Sequence, residues 1–195
     1  MGIIRLYEIC PEAEKAEIEN AVVTGGTDNT AEVKQGSIFV CVKGARFDGH
    51  SAAAEMLSKG AVMIVTDHDI KCGKQLVTDN TRLCLARLLN SFYGKPSEKL
   101  GLLAVTGTNG KTTTAHFVKH ILTTLGKKCG CVGTAGNDTC SGELKPSQHG
   151  TPTVPRATVL YSWLGEMVSN GADYCVMEAS SQALDQYRIG DERIA

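Results

Sequence analysis

A glycine-rich segment, TGTNGKTT at residues 106–113, has the residue types that hold the phosphates of a nucleotide. Gly107 and Gly110 allow the backbone to turn its N–H groups toward phosphate oxygens, and a following helix N-terminus adds about half a positive charge. Lys111 can reach the terminal phosphates, and the Thr112 hydroxyl can bind Mg²⁺. The segment is shorter than the full G-x-x-x-x-G-K-[ST] motif, because a valine occupies the place of the first glycine. A glycine turn before an ordinary helix would not need this lysine and these threonines, so we predict nucleotide binding.

Glu178 ends an apolar run that begins at residue 173 and has the length of a buried strand. The carboxyl ends of parallel strands share one edge of a sheet, so the Glu178 carboxylate is predicted to lie beside the phosphate loop and to face magnesium. An ordinary strand-end carboxylate is the alternative. Ser180 and Ser181 follow, but no G-x-S-x-G elbow surrounds them. We expect them to contact a substrate or to cap the next turn.

Other residues that could bind metal are less specific. His116 and His120 stand four residues apart on the predicted helix after the phosphate loop, but no H-E-x-x-H glutamate accompanies them, which favours a solvated helix face. The eight cysteines form no paired C-x-x-C knuckles. We expect reduced thiols that are buried as small hydrophobic residues.

The elements that must position these residues alternate as in an α/β protein. Strands are predicted at residues 101–106, 129–133 and 173–178, and helices at residues 111–125 and 156–170. Residues 134–155 are predicted to form a polar loop. The core-facing side of the first helix is expected to carry Val118, Ile121, Leu122 and Leu125. This order is typical of a parallel sheet whose ligands lie at the carboxyl ends of its strands.

A smaller α/β segment precedes this one. It has β-rich runs at residues 37–42 and 61–66, a helical pattern at residues 49–59, and a second helix that Asp79 or Asn80 can cap. Gly and Pro break the pattern in GKPSEK at residues 94–99, so we place a domain boundary after residue 97. The predicted fold class is α/β, with a small N-terminal domain over residues 1–97 and an incomplete parallel-sheet domain with a phosphate loop over residues 98–195.

Composition limits the function classes. The chain has 195 residues, of which 42% are hydrophobic and 21% charged, enough for one or two folded domains. Its net charge of −1 provides no bulk positive field for nucleic acid or anionic lipid. No apolar run approaches the ~18 residues of a membrane span, and the first residues lack the apolar core of a signal peptide. We expect a cytoplasmic protein that binds neither nucleic acid nor membranes.

Several motifs, in order along nearly the whole chain, resemble the Mur ligase family of peptidoglycan synthesis. They are SIFVCVKG at 37–44, DGH at 48–50, GAVMIV at 60–65, YGKPS at 93–97, TGTNGKTT at 106–113, TP at 151–152 and VMEASS at 176–181. Within the family, the chain is similar to the ligase that adds the third amino acid to UDP-N-acetylmuramoyl-L-alanyl-D-glutamate. The resemblance implies a UDP-substrate-binding domain followed by the first part of an ATP-binding domain.

The resemblance also implies a reaction and its residues. ATP phosphorylates the D-glutamate carboxylate, and the amine of meso-diaminopimelate or L-lysine attacks the acyl phosphate. Phosphoryl transfer to a carboxylate needs charge neutralisation more than covalent help from the protein. The resemblance implies catalytic roles for Lys111 and Glu178, and Mg²⁺ binding by Thr112 and Glu178. The ATP-binding residues that it implies are Gly107, Thr108, Asn109, Gly110, Lys111, Thr112 and Thr113.

On the substrate side, the resemblance implies contacts from Thr30, Ala45, Arg46, Thr151, Ser180, Gln186 and Arg188. Arg188 is suited to pair with an anionic group. Three places depart from the family pattern: Asp-Ser-Arg reads NTA at 29–31, Thr-Thr-Pro reads GTP at 150–152, and Ser-Ser-His reads SSQ at 180–182. The departures concern the uridine and substrate contacts more than the ATP site.

Length is the largest departure. Members of the family continue through a carbamylated lysine, a histidine-containing segment and a C-terminal domain that binds the incoming amino acid. We therefore expect the N-terminal part of such a ligase, which does not complete ligation alone. The alternatives are another ligase with the same phosphate loop, of the folylpolyglutamate or cyanophycin synthetase type, and a non-catalytic nucleotide-binding module. The first segment favours a Mur ligase, because its pattern fits the UDP-binding domain.

Overall fold

The computed structural model describes residues 22–45, 47–145, 153–191 and 194. The chain divides into two compact units, Met1–Phe92 and Tyr93–Ala195. Each unit has helices and a sheet with parallel strands, which confirms the predicted fold class. The domain boundary after residue 97 stays a prediction. Among the described residues, no helix is long and apolar enough to cross a lipid bilayer.

The first unit contains a parallel sheet of short strands. In chain order, and also in sheet order, these are β1 (Gly25–Thr27), β2 (Ser37–Val40), β3 (Met63–Thr66) and β4 (Gln75–Val77). Every residue of β2 and β3 is buried. Continuously buried strands are typical of a parallel sheet that is covered on both faces.

Helices supply that cover. A 3₁₀ turn (Gly49–Ala52) leads into α1 (Ala53–Ser58), and α2 (Thr81–Phe92) follows β4. Met56 of α1 packs in one cluster with Phe39 and Ile64, which are register partners on β2 and β3. Leu88 of α2 lies against Gly26 of β1, whose register places it on the opposite face of the sheet. The two helices therefore bury opposite faces.

The second unit has a mixed sheet. Its strands are β5 (Gly101–Val105), β6 (Cys129–Val132), β7 (Asn137–Asp138), β8 (Leu144–Lys145) and β9 (Tyr174–Glu178), in the order β5-β9-β6-β7-β8. β5, β9 and β6 are parallel, whereas β7 and β8 pair in the antiparallel direction. The last strand in sequence is thus inserted between β5 and β6, so the segments after these three strands meet at one edge.

The helices of the second unit are α3 (Pro96–Lys99), α4 (Lys111–Thr124), α5 (Ala157–Ser169) and α6 (Ser181–Asp185). Ala115 of α4 is fully buried against Cys129 and Val176 of the sheet, and Val118 and Leu122 pack beside it. This spacing of three and four residues is that of a single helix face. This packing holds α4 against the sheet, so that the helix begins directly after the glycine-rich loop at residues 106–110.

Two expectations about the second unit are wrong. Ile121 and Leu125 were expected in the core but are 56% and 71% exposed. The reason is that Ala115, Val118 and Leu122 take the contact with the sheet, which turns Ile121 and Leu125 to the neighbouring face of α4. Residues 134–155 are not loop throughout, because β7 and β8 form a short hairpin there.

Candidate functional site

The carboxyl edge of the second sheet brings together residues from three distant parts of the chain. The glycine-rich loop, residues 106–110, follows β5, Thr134 follows β6, and Glu178 is the last residue of β9. Since β9 lies between β5 and β6, Glu178 has one of these segments on each side. The sheet order thereby places an acidic residue between a glycine-rich loop and a threonine.

The glycine-rich loop reaches α4 through two backbone conformations that other residues rarely adopt. Gly107 has a φ of 140°, and Gly110, the N-cap of α4, has a φ of 79°. No side chain caps α4 at Gly110. The first-turn N–H groups of α4 therefore face the exposed loop, which is the arrangement that binds anions at helix N-termini.

Lys111 folds back over the loop. Its Nζ donates hydrogen bonds to the carbonyl oxygens of Gly107 at 2.6 Å and of Thr108 at 3.4 Å. The ammonium group therefore lies where it can contact phosphate oxygens that the loop N–H groups hold. Thr108, Asn109 and Thr113 are exposed on the loop and the first turn of α4.

Glu178 is held by hydrogen bonds from both sides. The Thr134 N–H donates to Oε1 at 2.8 Å, and the Thr134 hydroxyl donates to Oε2 at 2.7 Å. The Thr112 hydroxyl donates to the same Oε2 at 2.9 Å. Only 1% of Glu178 is exposed, so its carboxylate has exchanged water for these donors. The sequence-predicted pair Thr112 and Glu178 is thus in direct contact.

The donor set at this point suits Mg²⁺. The hydroxyl oxygens of Thr112 and Thr134 lie 3.3 Å apart beside the Glu178 carboxylate, and all three side chains offer hard oxygen ligands. Mg²⁺ prefers such ligands and is commonly held by one or two carboxylates together with phosphate oxygens. A hydroxyl that donates its hydrogen to Glu178 keeps its oxygen lone pairs for a cation.

Gly133 makes room for this carboxylate. A Cβ at this position would lie 2.2 Å from Oε1 of Glu178 and 2.9 Å from its carboxyl carbon. Such separations are far inside van der Waals contact, so a larger residue would displace the carboxylate. Gly133 also donates its N–H to Asn137 Oδ1 at 3.2 Å, which ties the end of β6 to the next strand.

Thr134 and Gly133 are site residues that the sequence analysis missed. Gly133 is the last residue of a predicted strand and Thr134 directly follows it, at the sheet edge where ligands were expected. The signal that could have found them is this position, because every residue that follows a parallel strand is a candidate ligand contact. The prediction did not use it, since neither residue belongs to a motif.

Ser180 acts as a helix cap. Its side-chain oxygen accepts the N–H of Ala183 at 3.2 Å, and its backbone is extended, as is usual for the N-cap of a helix such as α6. Of the two roles that the sequence left open, the structure shows this one. Its predicted substrate contact stays a prediction.

Gln186 and Arg188 hold each other at the end of the described chain. The Arg188 guanidinium donates through Nε at 3.1 Å and Nη2 at 2.7 Å to Gln186 Oε1, and through Nη1 at 2.8 Å to the carbonyl of Val154. The fork is therefore fixed in orientation beside Val154. Thr151 lies outside the described residues.

The remaining predicted substrate residues belong to the first unit. Thr30 and Ala45 stand in the loops that follow β1 and β2, at the carboxyl edge of that sheet. Beside Thr30, Glu32 accepts hydrogen bonds from Thr27 at 2.8 Å and from Asn29 at 2.9 Å, which orders the loop. Arg46 lies outside the described residues.

Histidines and cysteines of the second unit form no metal site in the described part of the chain. His116 and His120 are exposed on α4, in agreement with a solvated helix face. Most described cysteines are buried: Cys41, Cys84, Cys129, Cys131 and Cys175. Burial raises the pKa of the Cys41 thiol to about 12 and that of Cys129 to about 11, which keeps them protonated and inert. The prediction of buried thiols is thus confirmed for these cysteines.

Comparison with known families gives two matches that together cover most of the chain. A model described as the Mur ligase family catalytic domain matches residues 23–104, and one described as the Mur ligase middle domain matches residues 105–194. The chain belongs to the Mur ligase family. The glycine-rich loop, Thr134 and Glu178 all lie in the Mur ligase middle domain.

Curated Mur ligases extend well beyond this chain. A UDP-N-acetylmuramoyl-L-alanyl-D-glutamate--2,6-diaminopimelate ligase of Bacillus cereus is 40% identical over 176 residues, which are 88% of this chain and 34% of that protein. Ligase 2 of the same name from Clostridium acetobutylicum is 37% identical over 174 residues, or 87% of this chain and 36% of that protein. The chain spans about a third of the length of the curated relatives it matches.

Solved Mur ligase structures share the fold. A UDP-N-acetylmuramoyl-L-alanyl-D-glutamate--2,6-diaminopimelate ligase superposes with a TM-score of 0.78 at 25% identity, covering 96% of this chain and 38% of that one. The MurF ligase of Thermotoga maritima, solved in complex with ADP, superposes with a TM-score of 0.52 at 22% identity, covering 84% of this chain and 34% of that one. The second likeness concerns the fold alone.

Proposed function

We propose that the second unit binds ATP with Mg²⁺ and that, within a Mur ligase, this site activates a carboxylate by phosphoryl transfer. The observation that carries the proposal is the 2.9 Å hydrogen bond between the Thr112 hydroxyl and the Glu178 carboxylate. It joins the first turn after a glycine-rich loop to an acidic residue on β9, the strand between β5 and β6. Phosphate-loop enzymes place Mg²⁺ between such a hydroxyl and such a carboxylate.

Each residue at this edge has its own task. The N–H groups of the loop and of the first turn of α4 bind phosphate oxygens, and Lys111 compensates the charge that develops on the terminal phosphate. Thr112, Thr134 and Glu178 would hold Mg²⁺, which when bound neutralises phosphate charge. The Thr134 N–H keeps the Glu178 carboxylate oriented through its 2.8 Å hydrogen bond.

The whole activity that we propose is amide formation on UDP-N-acetylmuramoyl-L-alanyl-D-glutamate. The γ-phosphate of ATP passes to the D-glutamate carboxylate, which gives ADP and an acyl phosphate. The amine of the incoming amino acid then attacks the acyl carbon, and phosphate leaves. The names of the relatives favour 2,6-diaminopimelate over L-lysine as that amino acid. We place this reaction in the cytoplasm.

The substrate side of the proposal divides between the units. The uridine part would be contacted by Thr30, Ala45 and Arg46. Thr30 and Ala45 support this assignment, because they stand in loops at the carboxyl edge of the first sheet. Thr151, Ser180, Gln186 and Arg188 would contact the muramoyl dipeptide. The support for this assignment is the Arg188 fork, which Gln186 and the Val154 carbonyl hold in place for an anionic group.

Calorimetric titration with Mg-ATP tests the ATP site. The Lys111→Ala variant loses charge-assisted contacts and should bind about ten- to a hundredfold more weakly. Lys127→Ala is the matched control, because Lys127 is an exposed lysine beyond the far end of α4 and should leave binding unchanged. Equal affinity of Lys111→Ala and the unmodified chain would refute the assignment of the loop.

A separate assay tests the whole reaction. The chain spans about a third of its relatives, and we predict that it binds Mg-ATP but forms no tripeptide product from UDP-N-acetylmuramoyl dipeptide, ATP and diaminopimelate. Mass spectrometry of the nucleotide-linked product would detect turnover. Formation of the tripeptide by the purified 195-residue chain would contradict this prediction.

A further inference from the structure

A second cluster of chemically active side chains lies at the carboxyl edge of the first sheet. Asp67 and His68 directly follow β3, and His50 stands in the 3₁₀ turn, one residue after Gly49. The rings of His50 and His68 have centroids 4.8 Å apart. One ligand atom from each of His50, Asp67 and His68 lies within 4.8 Å of the others. The proposed ATP site uses none of these residues.

The carboxylate of Asp48 orients the His50 ring. Its Nδ1 lies 2.5 Å from Asp48 Oδ1, which also accepts the backbone N–H of His50 at 3.1 Å. A hydrogen bond from Nδ1 to a carboxylate fixes the tautomer in which Nε2 carries a lone pair. The same carboxylate–histidine arrangement orients metal-binding imidazoles in known metal sites.

In this tautomer Nε2 is the ring nitrogen that can bind a ligand, and it is buried. The His50 side chain is only 10% exposed, and its Nε2 makes no hydrogen bond within the described part of the chain. Nε2 lies 3.2 Å from Asp67 Oδ1. With Nδ1 protonated, an imidazole lone pair thus faces a carboxylate oxygen, and this repulsion is relieved either by a proton on Nε2 or by a cation that both atoms bind.

The spacing suits a small divalent metal ion. Metal bonds to imidazole nitrogen and carboxylate oxygen are about 2.0 to 2.2 Å long, so two ligand atoms of one tetrahedral site lie roughly 3.3 Å apart. The separation of 3.2 Å between His50 Nε2 and Asp67 Oδ1 matches this value. His68 contacts the same Asp67 Oδ1 at 2.5 Å and can turn a ring nitrogen to the ion.

We propose that His50, Asp67 and His68 bind one divalent transition-metal ion of the Zn²⁺ class, with Asp48 as the positioning residue of His50. Two imidazoles and one carboxylate are the ligand set that zinc and cobalt take in three-ligand sites with an open position. His68 and Asp67 are largely exposed, so the ion has a direct path to the site. An ion here joins the end of β3 to the turn that begins α1.

The test uses the full chain after removal of metal by a chelator, which is then dialysed away. Titration with Co²⁺ alone should produce the visible absorption of a tetrahedral site at one equivalent, and Zn²⁺ should displace it. At Zn²⁺ a hundredfold above its Kd, Tm should rise by about 5 °C, since the ion binds the folded state. His68→Asn and Asp67→Asn change exposed side chains, so these variants should fold and bind at least about tenfold more weakly.

Matched variants separate this site from others. The double variant His116→Asn, His120→Asn removes the exposed histidine pair of α4 and should leave the Co²⁺ spectrum unchanged. Asp48→Asn should weaken binding about tenfold while the stoichiometry stays at one, because it removes only the orienting carboxylate. Absence of a tetrahedral spectrum, or a spectrum that persists in His68→Asn, would overturn the proposal. Mg-ATP titrations of the same variants should not change, so failure here and failure of the ATP site are distinguishable.

Discussion

The two units present the same architectural feature, an edge at the carboxyl ends of parallel strands, with different side chains on it. The first edge carries imidazoles and carboxylates, namely His50, Asp67 and His68. The second carries a glycine-rich loop, hydroxyl groups and one buried carboxylate, Glu178. The first set is suited to a transition metal and the second to a magnesium–phosphate complex.

The start of the helix at each edge explains much of this difference. In the first unit, Asn80 Oδ1 accepts the N–H of Leu83 at 3.0 Å, so a side chain caps the first turn of α2. In the second unit, Gly110 precedes α4 and supplies no side-chain cap. A helix that lacks an internal cap can give its N–H groups to an anion. The uncapped start of α4, together with the glycine-rich loop before it, is thus what distinguishes it from α2.

The largest effect should come from filling the space beside Glu178. Gly133→Ala places a Cβ 2.2 Å from Glu178 Oε1, so the carboxylate must leave the Thr134 donors. We expect the free energy of unfolding to fall by about 2 to 4 kcal/mol and Mg²⁺-dependent ATP binding to be lost. Denaturant unfolding and calorimetry with and without Mg²⁺ would measure both.

The matched control for this variant lies in the first unit. In Gly44→Ala the new Cβ lies 3.1 Å from the Phe47 carbonyl oxygen, and unfolding should change by less than about 1 kcal/mol. Glu178→Gln should abolish the Mg²⁺ dependence without the steric cost. If Gly133→Ala bound Mg-ATP normally, the buried carboxylate would not belong to the nucleotide site.

The helix starts are tested by a pair of substitutions. Gly110→Ala forces a side chain into a φ of 79° and should cost about 1 to 2 kcal/mol of stability, together with weaker ATP binding. Asn80→Ala removes the cap of α2 and should cost about 1 kcal/mol with ATP binding intact. ATP binding that fell equally in both variants would mean that the effect is general destabilisation.

A pH series compares ion pairs of the two units. Burial alone would raise the pKa of Asp138, but the hydrogen bond from Lys119 at 2.5 Å lowers it below its usual range. A lowered pKa stabilises the folded state above the unfolded value of about 3.9, and this contribution is lost as the pH falls through the folded value. Lys119→Met should therefore cost about 1 kcal/mol at neutral pH and progressively less below about pH 4.

The control for this pair is the exposed Glu55–Lys59 pair of α1, at 2.7 Å. Because water screens both side chains, Lys59→Met should change stability by less than about 0.5 kcal/mol at any of these pH values. Chemical denaturation at several pH values measures both variants. A pH-independent loss in Lys119→Met would show that packing of the lysine stem, rather than its charge, stabilises the second unit.

The smallest effect should come from the cap of α6. Ser180→Ala removes the acceptor of the Ala183 N–H and should lower stability by about 0.5 to 1 kcal/mol. Ser181→Ala, one residue on and exposed, should be neutral. Thermal unfolding distinguishes the two. If Ser180→Ala instead left stability unchanged and weakened binding of the UDP-muramoyl dipeptide, the hydroxyl would serve the substrate rather than the helix.

Local patterns predicted most of the fold. The α5 helix, for example, was expected at residues 156–170 and runs Ala157–Ser169, because its apolar residues recur at helical spacing. The β7–β8 hairpin was missed, since its strands have only two residues each and no apolar alternation. Ile121 was misplaced because an apolar residue at helical spacing need not lie on the face that contacts the sheet.

The site was predictable where it followed a motif and not where it depended on tertiary contact. Lys111 and Thr112 belong to a recognisable loop, and Glu178 ends a recognisable strand. Thr134 is 44 residues from Glu178 and carries no motif, so only the insertion of β9 beside β6 brings them together. The cluster of His50 and His68 depends in the same way on the pairing of β2 with β3.

Amide chemical shifts during titration with Mg-ATP test the central claim most directly, because they report on both sheet edges in one experiment. We predict the largest changes at Gly107, Gly110, Thr112 and Thr134, with the amides of His50 and His68 unchanged. Largest changes at the edge of the first sheet, or an unchanged glycine-rich loop at saturation, would contradict the assignment of the ATP site to the second unit.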